Sequence, residues 1–502
     1  MKLFTTSQIA AIDQFTIEHE PIADIDLMER AAKALTYRLL QCFPEKRNIA
    51  IFAGRGNNGG DALAMARMLA EADYPTELFL LPGDKPLTGP AAINQQRLAD
   101  QNRVEIHLEQ QLPLLLPNTL IIDGLFGSGL SRPLTGIAAA WVNHLNQSGC
   151  EIVSIDMPSG LMGEENGPIS AQAIIKATLT LTLQFPKIAL LLAENHSCAG
   201  KVEVIDIGLH PAAMEKTPTE FNLTESSLVA TLLPKRSKFD HKGTFGHAML
   251  LVGSKGKMGA AVLAAKSCLR SGAGLVTAHI PGSGYTIMQT ALPEAMCSCD
   301  HHPEAITDLP DLTPYNAIAA GPGIGTGKET ATLIMRLIEA AQAPLVLDAD
   351  ALNILASNPG SLEKLPANTI LTPHPGEFRR LFGEVGGDWQ RLGLARQKAV
   401  EYGIIIVLKG AHTAIILPTG AVHFNTTGNP GMASGGSGDV LTGIIAGLLA
   451  QGVSPVNAAI SGVFLHGLAG DIGSETIGEA ALLASDIIDH LGIAFLKLNG
   501  SG

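Results

Sequence analysis

The sequence predicts an α/β protein of two domains, each a parallel sheet covered by helices on both faces. Three observations carry this. Apolar, β-branched runs of five to seven residues recur along the chain, each followed by a glycine-rich turn and a helical pattern. The runs are continuously apolar rather than alternating, as strands buried on both faces are. The length, 502 residues, suits two or more domains of ordinary size.

In the first half the expected strands are Ile49 to Ala53, Leu78 to Leu81, Leu120 to Asp123, Ile152 to Asp156 and Leu179 to Leu183. In the second half they are Ala248 to Gly253, Ala317 to Gly321, Leu345 to Asp348, Thr369 to Thr372 and Ile404 to Lys409, with a hairpin formed by Ala414 to Leu417 and Ala421 to Phe424 around Pro418-Thr419-Gly420. The rhythm stops between about Pro211 and Asp240, where Pro211, Pro218 and Pro234 punctuate a polar stretch. The expected organisation is therefore a domain over 1–210, a linker over 211–235 and a second domain over 236–502.

Composition narrows the function. Hydrophobic residues make up 46% and charged residues 16%, which excludes a disordered chain. The net charge of −13 argues against nucleic acid as a partner, because a phosphate backbone demands a dense basic surface. Six scattered cysteines without a Cys-x-x-Cys pair indicate neither a disulfide framework nor a zinc ribbon. With no basic, then apolar, leader at Met1 to Ala10, a reducing cytoplasm is expected. Val440 to Gly470 lacks any Asp, Glu, Lys or Arg, yet Gly452-Val453-Ser454-Pro455 breaks it into two buried helices, so no membrane is expected as a partner. A homo-oligomeric assembly is expected.

Glycine is in surplus: five segments, 54–61, 124–129, 253–259, 321–327 and 428–438, hold 19 of the 54 glycines in 39 residues, where even spreading gives about four. Each follows an expected strand or opens a helix. Gly54-Arg55-Gly56-Asn57-Asn58-Gly59-Gly60-Asp61 contains G-x-G-x-x-G, but the acidic residue of a redox dinucleotide site is missing: Glu77 precedes its strand instead of ending it. Asp123 and Asp156 close two further strands, and parallel strands bring their carboxyl ends to one edge. In the second half, Gly435-Gly436-Ser437-Gly438-Asp439 opens the helix Val440 to Gln451. Bare amides there converge on an anion, and the helix dipole adds to their pull. A Walker loop is absent, because Gly327-Lys328 is followed by Glu329, and so is a G-x-S-x-G elbow.

Leu27-Met28-Glu29-Arg30-Ala31, the Gly54 to Asp61 loop, the Asp123 loop and Ile155-Asp156-Met157-Pro158-Ser159-Gly160 resemble the NAD(P)H-hydrate epimerase domain over essentially all of 1–210. The resemblance implies a Rossmann-like three-layer α/β/α domain. It implies that Asn57, Asn58, Gly59, Gly60 and Asp61 hold the hydrated dinucleotide together with Gly127, Ser128, Gly129, Leu130, Ser131, Arg132 and Pro133. It further implies potassium at Asn58, Asp123 and Ser159, with Asp156 at the substrate as general acid and base.

The second half resembles the ADP-dependent NAD(P)H-hydrate dehydratase branch of the ribokinase-like superfamily over about 225–495. The likeness rests on Gly253-Ser254-Lys255-Gly256-Lys257-Met258-Gly259-Ala260, Gly321-Pro322-Gly323-Ile324-Gly325, Asp348-Ala349-Asp350-Ala351-Leu352-Asn353, Leu371-Thr372-Pro373-His374-Pro375-Gly376-Glu377 and Lys409-Gly410-Ala411-His412-Thr413, with the Asp439 segment. It implies a ribokinase-like α/β domain in which Ala260, Gly323, His374 and Asp439 contact the hydrate, Lys409, Gly410, Ala411, His412, Thr413 and Gly438 hold ADP, and magnesium assists. Asp348 and Asp350 are left as supporting residues. The expected function is repair of NADHX and NADPHX by epimerisation and then ADP-dependent dehydration. The alternative is a vitamin or sugar kinase with an accessory dinucleotide-binding domain.

Overall fold

The computed structural model describes residues 1–20, 22–108 and 113–500. The chain divides into two compact units: Lys2–Thr219 with Gly387–Trp389, and Glu220–Gly386 with Gln390–Gly502 and Met1. The interval expected to be a linker is structured. It carries the helix Pro211–Lys216, the strand Phe221–Leu223 and the helix Ser226–Leu232. Pro211 occupies the first helical turn, where its missing N–H costs nothing, and His210 caps that helix. Proline there marks a helix start as well as a break in the strand rhythm.

The N-terminal unit is built on seven parallel strands in the order Glu105–His107, Thr76–Leu80, Ile49–Ala53, Leu120–Gly124, Glu151–Ile155, Leu179–Leu183, Lys201–Ile205. From Ile49–Ala53 the chain first builds outward through Thr76–Leu80, then returns to add Leu120–Gly124 on the other flank. The order reverses between those two central strands, and ligands of open α/β sheets bind at such a point, beyond the carboxyl ends. Gly54 donates its backbone N–H to Gly124 O at 3.0 Å exactly where the two chains would otherwise part. The helix after Gly56 begins at Asn57, so Asn57 to Asp61 form its first turn. Buried Asn58, Gly59, Gly60 and Asp61 are poor helix formers held by tertiary contact rather than propensity.

In the C-terminal unit the strand order is Phe221–Leu223, Val422–Phe424, Ala414–Ile416, Ile405–Leu408, Ile370–Leu371, Leu345–Leu347, Ala317–Ala320, His247–Leu251, Leu275–Ile280, Met296–Cys299. The expected hairpin is present and antiparallel, and all the strands from Ile405–Leu408 to Met296–Cys299 run parallel. This sheet reverses between His247–Leu251 and Ala317–Ala320. The stretch without charges forms two helices, Ser437–Ala450 and Pro455–Ile477. The first is buried along nearly its whole length, with Gly443 and Gly447 so close to the helix Met258–Arg270 that a Cβ would stand 2.0 Å from Ser267 Oγ and 2.5 Å from Cys268 O. Its apolarity is that of a domain core. Among the described residues no helix is long and apolar enough to cross a membrane.

Two glycines of one loop separate structural need from tolerance. A Cβ on Gly54 would lie 1.8 Å from Leu125 O, while one on Gly56 meets nothing within 4 Å. Gly54→Ala is expected to destabilise the N-terminal unit by about 1–3 kcal/mol or more, and Gly56→Ala to stay within about 0.5 kcal/mol. Both tryptophans, Trp141 and Trp389, belong to this unit, so denaturation followed by tryptophan fluorescence reads the difference.

Candidate active sites

At the edge of the N-terminal sheet three strand ends deliver Asp123, Asp156 and the Asn57 to Asp61 turn. Asp123 is fully buried and accepts four hydrogen bonds: Oδ1 from Ser159 Oγ at 2.5 Å and Leu125 N at 3.3 Å, Oδ2 from Ser154 Oγ at 2.7 Å and Ser159 N at 2.8 Å. All four donors are hydroxyls or amides, and burial raises its pKa. Ser159 Oγ also accepts from Phe126 N and lies 3.1 Å from Phe126 O. Close by, Asn58 is buried with an amide nitrogen that has no hydrogen-bond partner. A buried carboxylate flanked by hydroxyl and carbonyl oxygens without a cationic side chain fits a hard monovalent cation.

Asp156 holds a left-handed backbone, φ 64°, a conformation rarely tolerated outside glycine and typical of functional sites. Its Oδ2 accepts from Ser128 N at 3.0 Å, and a Cβ on Gly127 would lie 3.0 Å from Asn58 Oδ1 and 3.1 Å from Asp156 Oδ2. The glycine thus lets the loop pass between the two side chains. Asp156 Oδ1 pairs with Lys187 Nζ, which also donates to Thr182 Oγ1 at 3.1 Å and Leu183 O at 3.0 Å. Burial alone would push Asp156 up, but Lys187 and the Ser128 donors carry it below the ordinary carboxylate range. Asp61 behaves oppositely: burial, then the Asp156, Asp13 and Asp24 charges, push its pKa well up. Burial likewise raises Asp13 to about 6. The environment therefore favours the protonated form of Asp61 and the anion of Asp156. Sequence reasoning missed Lys187; its only signal is a charge four residues beyond the strand Leu179–Leu183. Of the loop expected at the substrate, Gly127 and Ser128 reach Asp156, and Gly129 and Leu130 complete the turn. Ser131, Arg132 and Pro133 continue as exposed chain.

In the C-terminal unit a cavity of about 780 Å³ opens beyond the ends of Leu345–Leu347, Ile370–Leu371 and Ile405–Leu408. Lys409, Gly410, Ala411, Thr413, His374, Gly438 and Asp439 line it, as do Asp348, Glu377, Ser437 and His466. His412 does not; its Nδ1 lies 3.2 Å from Asn425 O. His374 caps the helix Pro375–Phe382, its Nδ1 accepting from Gly376 N while Glu377 returns the bond to His374 N. Ala260 and Gly323 lie outside the cavity lining, at the reversal point of the sheet, where a Cβ on Gly323 would stand 3.0 Å from Ala260 Cβ. The segment Asp348 to Asp350 runs between the two places. Asp350 Oδ2 accepts from Gly325 N at 2.8 Å and Lys257 Nζ at 3.2 Å, and Ala349 between them has φ 51° and ψ −117°.

Asp348, expected from the sequence as a supporting residue, is 1% exposed and holds Lys409 Nζ at 2.7 Å and Thr442 Oγ1 at 2.8 Å. Asp439 stands in the first turn of the helix Ser437–Ala450, which begins at Ser437 because Gly436, φ 93°, turns the chain into it. Burial, then the charge of Asp348, raises Asp439 to about 6, a value suited to a general base at neutral pH. His466, 3.2 Å from Ser437 Oγ, is held neutral by burial, at about 4. With Asp348 committed to Lys409 and Thr442 and Glu377 to the His374 cap, Asp439 remains facing the cavity. This sparse carboxylate set fits a magnesium ion carried mainly by nucleotide phosphates.

One unit with oxygen-lined strand ends at its reversal point, and another with Asp439 facing a cavity beyond its strand ends, define a two-centre α/β enzyme. The family model described as YjeF-related protein N-terminus matches residues 24–189, and that described as NAD(P)H-hydrate dehydratase matches 248–492. A bifunctional NAD(P)H-hydrate repair enzyme of Moorella thermoacetica is 37% identical over 98% of this chain and 96% of its own, and one of Coxiella burnetii is 37% identical over 97% and 98%. A Bacillus subtilis ADP/ATP-dependent NAD(P)H-hydrate dehydratase, crystallised with ATP and magnesium, is 32% identical over 55% of this chain and 98% of its own, with a TM-score of 0.49. The chain belongs to the family of bifunctional NAD(P)H-hydrate repair enzymes.

Lys187 is 1% exposed and Asp156 8% by side chain, so the pair is desolvated. Lys187→Met leaves a buried charge unpaired and is expected to cost the N-terminal unit about 3–5 kcal/mol, while the added Asp156→Asn recovers most of it. Fluorescence-detected unfolding of the full chain measures both. Equal loss in the single and double variants contradicts the pairing.

Proposed function

We propose that the N-terminal unit interconverts the R and S epimers of NADHX and NADPHX, and that the C-terminal unit dehydrates the S epimer to NAD(P)H with ADP. One observation carries the reading: in a chain of the repair-enzyme family each unit brings one aspartate to the open edge of its sheet, Asp156 beside Asn58, Gly127 and Ser128, and Asp439 facing the cavity that Lys409 and Gly438 line.

At the first centre the ring must lose its 6-hydroxyl as water and regain it on the other face. Lys187 or Asp61 supplies the proton to the departing hydroxyl as the ring-nitrogen lone pair expels it. Asp156 steadies the cationic ring and takes the proton from the water that re-adds. Asn57 to Asp61 and Gly127 to Pro133 hold the dinucleotide. Asn58, Asp123 and Ser159 would hold a potassium ion, whose charge would balance the buried Asp123 carboxylate.

At the second centre Asp439 takes the proton of the 6-hydroxyl as that oxygen bonds to the terminal phosphorus of ADP, releasing AMP. Phosphate then leaves C6 as the ring-nitrogen lone pair forms the C=N bond, and loss of a C5 proton gives the dihydronicotinamide. Lys409, fixed by Asp348, and the amide of Gly438 lie where the nucleotide phosphates belong; Gly410 to Thr413 flank the nucleotide, and Ala260, Gly323 and His374 the hydrate. Magnesium neutralises phosphate charge. A cytoplasmic setting fits six unpaired cysteines.

Incubation with S-NADHX and ADP, with ATP in parallel, is expected to restore NADH absorbance; a vitamin or sugar kinase gives none. Asp439→Ala is expected to slow this ~10²–10⁴-fold without affecting epimerisation. Since Asp439 must be ionised to act and titrates at about 6, kcat/KM for dehydration is expected to fall as pH drops below that value and to level off above it. A rate independent of pH from 5 to 8, or full activity in the variant, removes Asp439 from the role.

A further inference from the structure

Dehydration at the second centre also removes a hydrogen from carbon: once phosphate has left C6, the cationic ring becomes dihydronicotinamide only by losing a proton from C5. Which group takes it is decided by the hydrogen bonds of the titratable side chains that line the cavity, Asp348, His374, Glu377, Lys409, Asp439 and His466. Both oxygens of Asp348 are occupied, Oδ1 by Lys409 Nζ at 2.7 Å and Oδ2 by Thr442 Oγ1 at 2.8 Å, and Lys409 enters that pair as the donor. Glu377, 6% exposed, closes the cap on the helix Pro375–Phe382: Oε2 accepts from His374 N at 2.9 Å, and Oε1 stands 3.4 Å from His374 Nε2.

The two imidazoles are held as well. Gly376 N donates to His374 Nδ1 at 3.0 Å, which occupies that lone pair and puts the ring proton on Nε2. His374 can therefore donate a hydrogen bond but has no nitrogen free to receive a proton. His466 Nε2 stands 3.2 Å from Ser437 Oγ, and burial with the Lys409 charge brings the ring down to about 4, a weaker base than Asp439 at about 6. Asp350, outside the lining, accepts from Gly325 N at 2.8 Å and Lys257 Nζ at 3.2 Å. Asp439 faces the cavity from the first turn of the helix Ser437–Ala450, and among the described residues no donor is bound to its carboxylate.

Resting on the dehydration reading above, we propose that Asp439 acts twice in each turnover, and that the C5 hydrogen it removes is the one on the ring face of the departing phosphate, a syn elimination. First, the carboxylate takes the 6-hydroxyl proton as that oxygen bonds to the terminal phosphorus of ADP and the bond from that phosphorus to the AMP oxygen breaks. Next, the C6–O bond breaks and its electron pair leaves with the phosphate, to which Asp439 returns the proton, while the ring-nitrogen lone pair forms the C6=N bond. The carboxylate, again an anion, then takes a proton from C5. The C5–H electron pair becomes the C5=C6 bond, the C=N pair returns to nitrogen, and Asp439 loses its proton to water. A general base must stand within hydrogen-bond reach of the proton it removes. A carboxylate that has held the 6-oxygen is already on that face of the ring, and its two oxygens serve the adjacent cis hydrogen without any movement of the helix. None of the other lining groups is free to receive the hydrogen of the opposite face.

The test is S-NADHX carrying one deuterium at C5, either cis or trans to the 6-oxygen, the two forms being told apart by the H5–H6 coupling in their proton NMR spectra. Each is turned over by the full chain with ADP, the deuterium content of the NADH is read by mass spectrometry, and unreacted hydrate is recovered to confirm that its label is intact. The deuterium is expected to be lost from the cis form and retained from the trans form. Asp439→Asn, turned over slowly at high enzyme concentration, is expected to lose this selectivity, because water then takes the proton from either face. Loss of the trans label by the wild type, or cis selectivity unchanged in Asp439→Asn, which assigns the proton to the departing phosphate, overturns the proposal. Absence of NADH from both labelled forms overturns the dehydration reading and this proposal with it.

Discussion

Parallel strands place their carboxyl ends on one edge, and this backbone constraint puts the chemistry of both units where it is. At the reversal point of each sheet the loops leaving two central strands turn to opposite faces, and a crevice opens between them. In the N-terminal unit Gly54 and Gly124 close its floor with a backbone hydrogen bond, and Asp123, Asp156 and the Asn58 turn surround it. In the C-terminal unit Gly253 N donates to Pro322 O across the corresponding point, and the cavity lies over the next three strands. Each edge also holds a Lys–Asp pair, Lys187–Asp156, buried, in one and Lys409–Asp348, with a half-buried lysine, in the other.

The glycine surplus belongs to the same constraint. Backbone amides bind phosphate only where no side chain intervenes, and adjacent loops approach closely only where Cβ is missing. At Gly438 a Cβ would stand 3.2 Å from Lys409 Nζ, so the residue before Asp439 sits tightly against the lysine. The carboxylates differ: Lys187 stabilises the Asp156 anion, while burial and the charges of Asp348 and Asp350 raise Asp439 to about 6.

Much of this was legible in the sequence, because continuous apolar runs such as Ile49–Ala53 and Leu179–Leu183 have only one comfortable environment, the middle of a covered parallel sheet. Edge strands were not. Glu105–His107, Lys201–Ile205 and Met296–Cys299 are half exposed and carry polar residues, so their pattern is no stronger than that of a loop. Asn58, Gly127 and Asp156 lie together in one unit and Lys409 and Asp439 line one cavity in the other, whereas Ala260 and Gly323 stand together outside the cavity lining. Lys187 escaped, and Asp348 was named only as a supporting residue without its lysine, because their partners lie 31 and 61 residues away and nothing beside them in the chain announces those partners.

The central claim is that one chain holds two separate reaction centres, the first feeding the second. The direct measurement is the extent of NADH recovery from an equilibrated R and S mixture of NADHX with excess ADP, in the wild type and in Asp156→Asn. The wild type is expected to convert the whole mixture. The variant is expected to convert the S share at the wild-type initial rate and then stop, leaving the R epimer. Complete conversion by Asp156→Asn, or loss of the initial S-specific phase, contradicts the account.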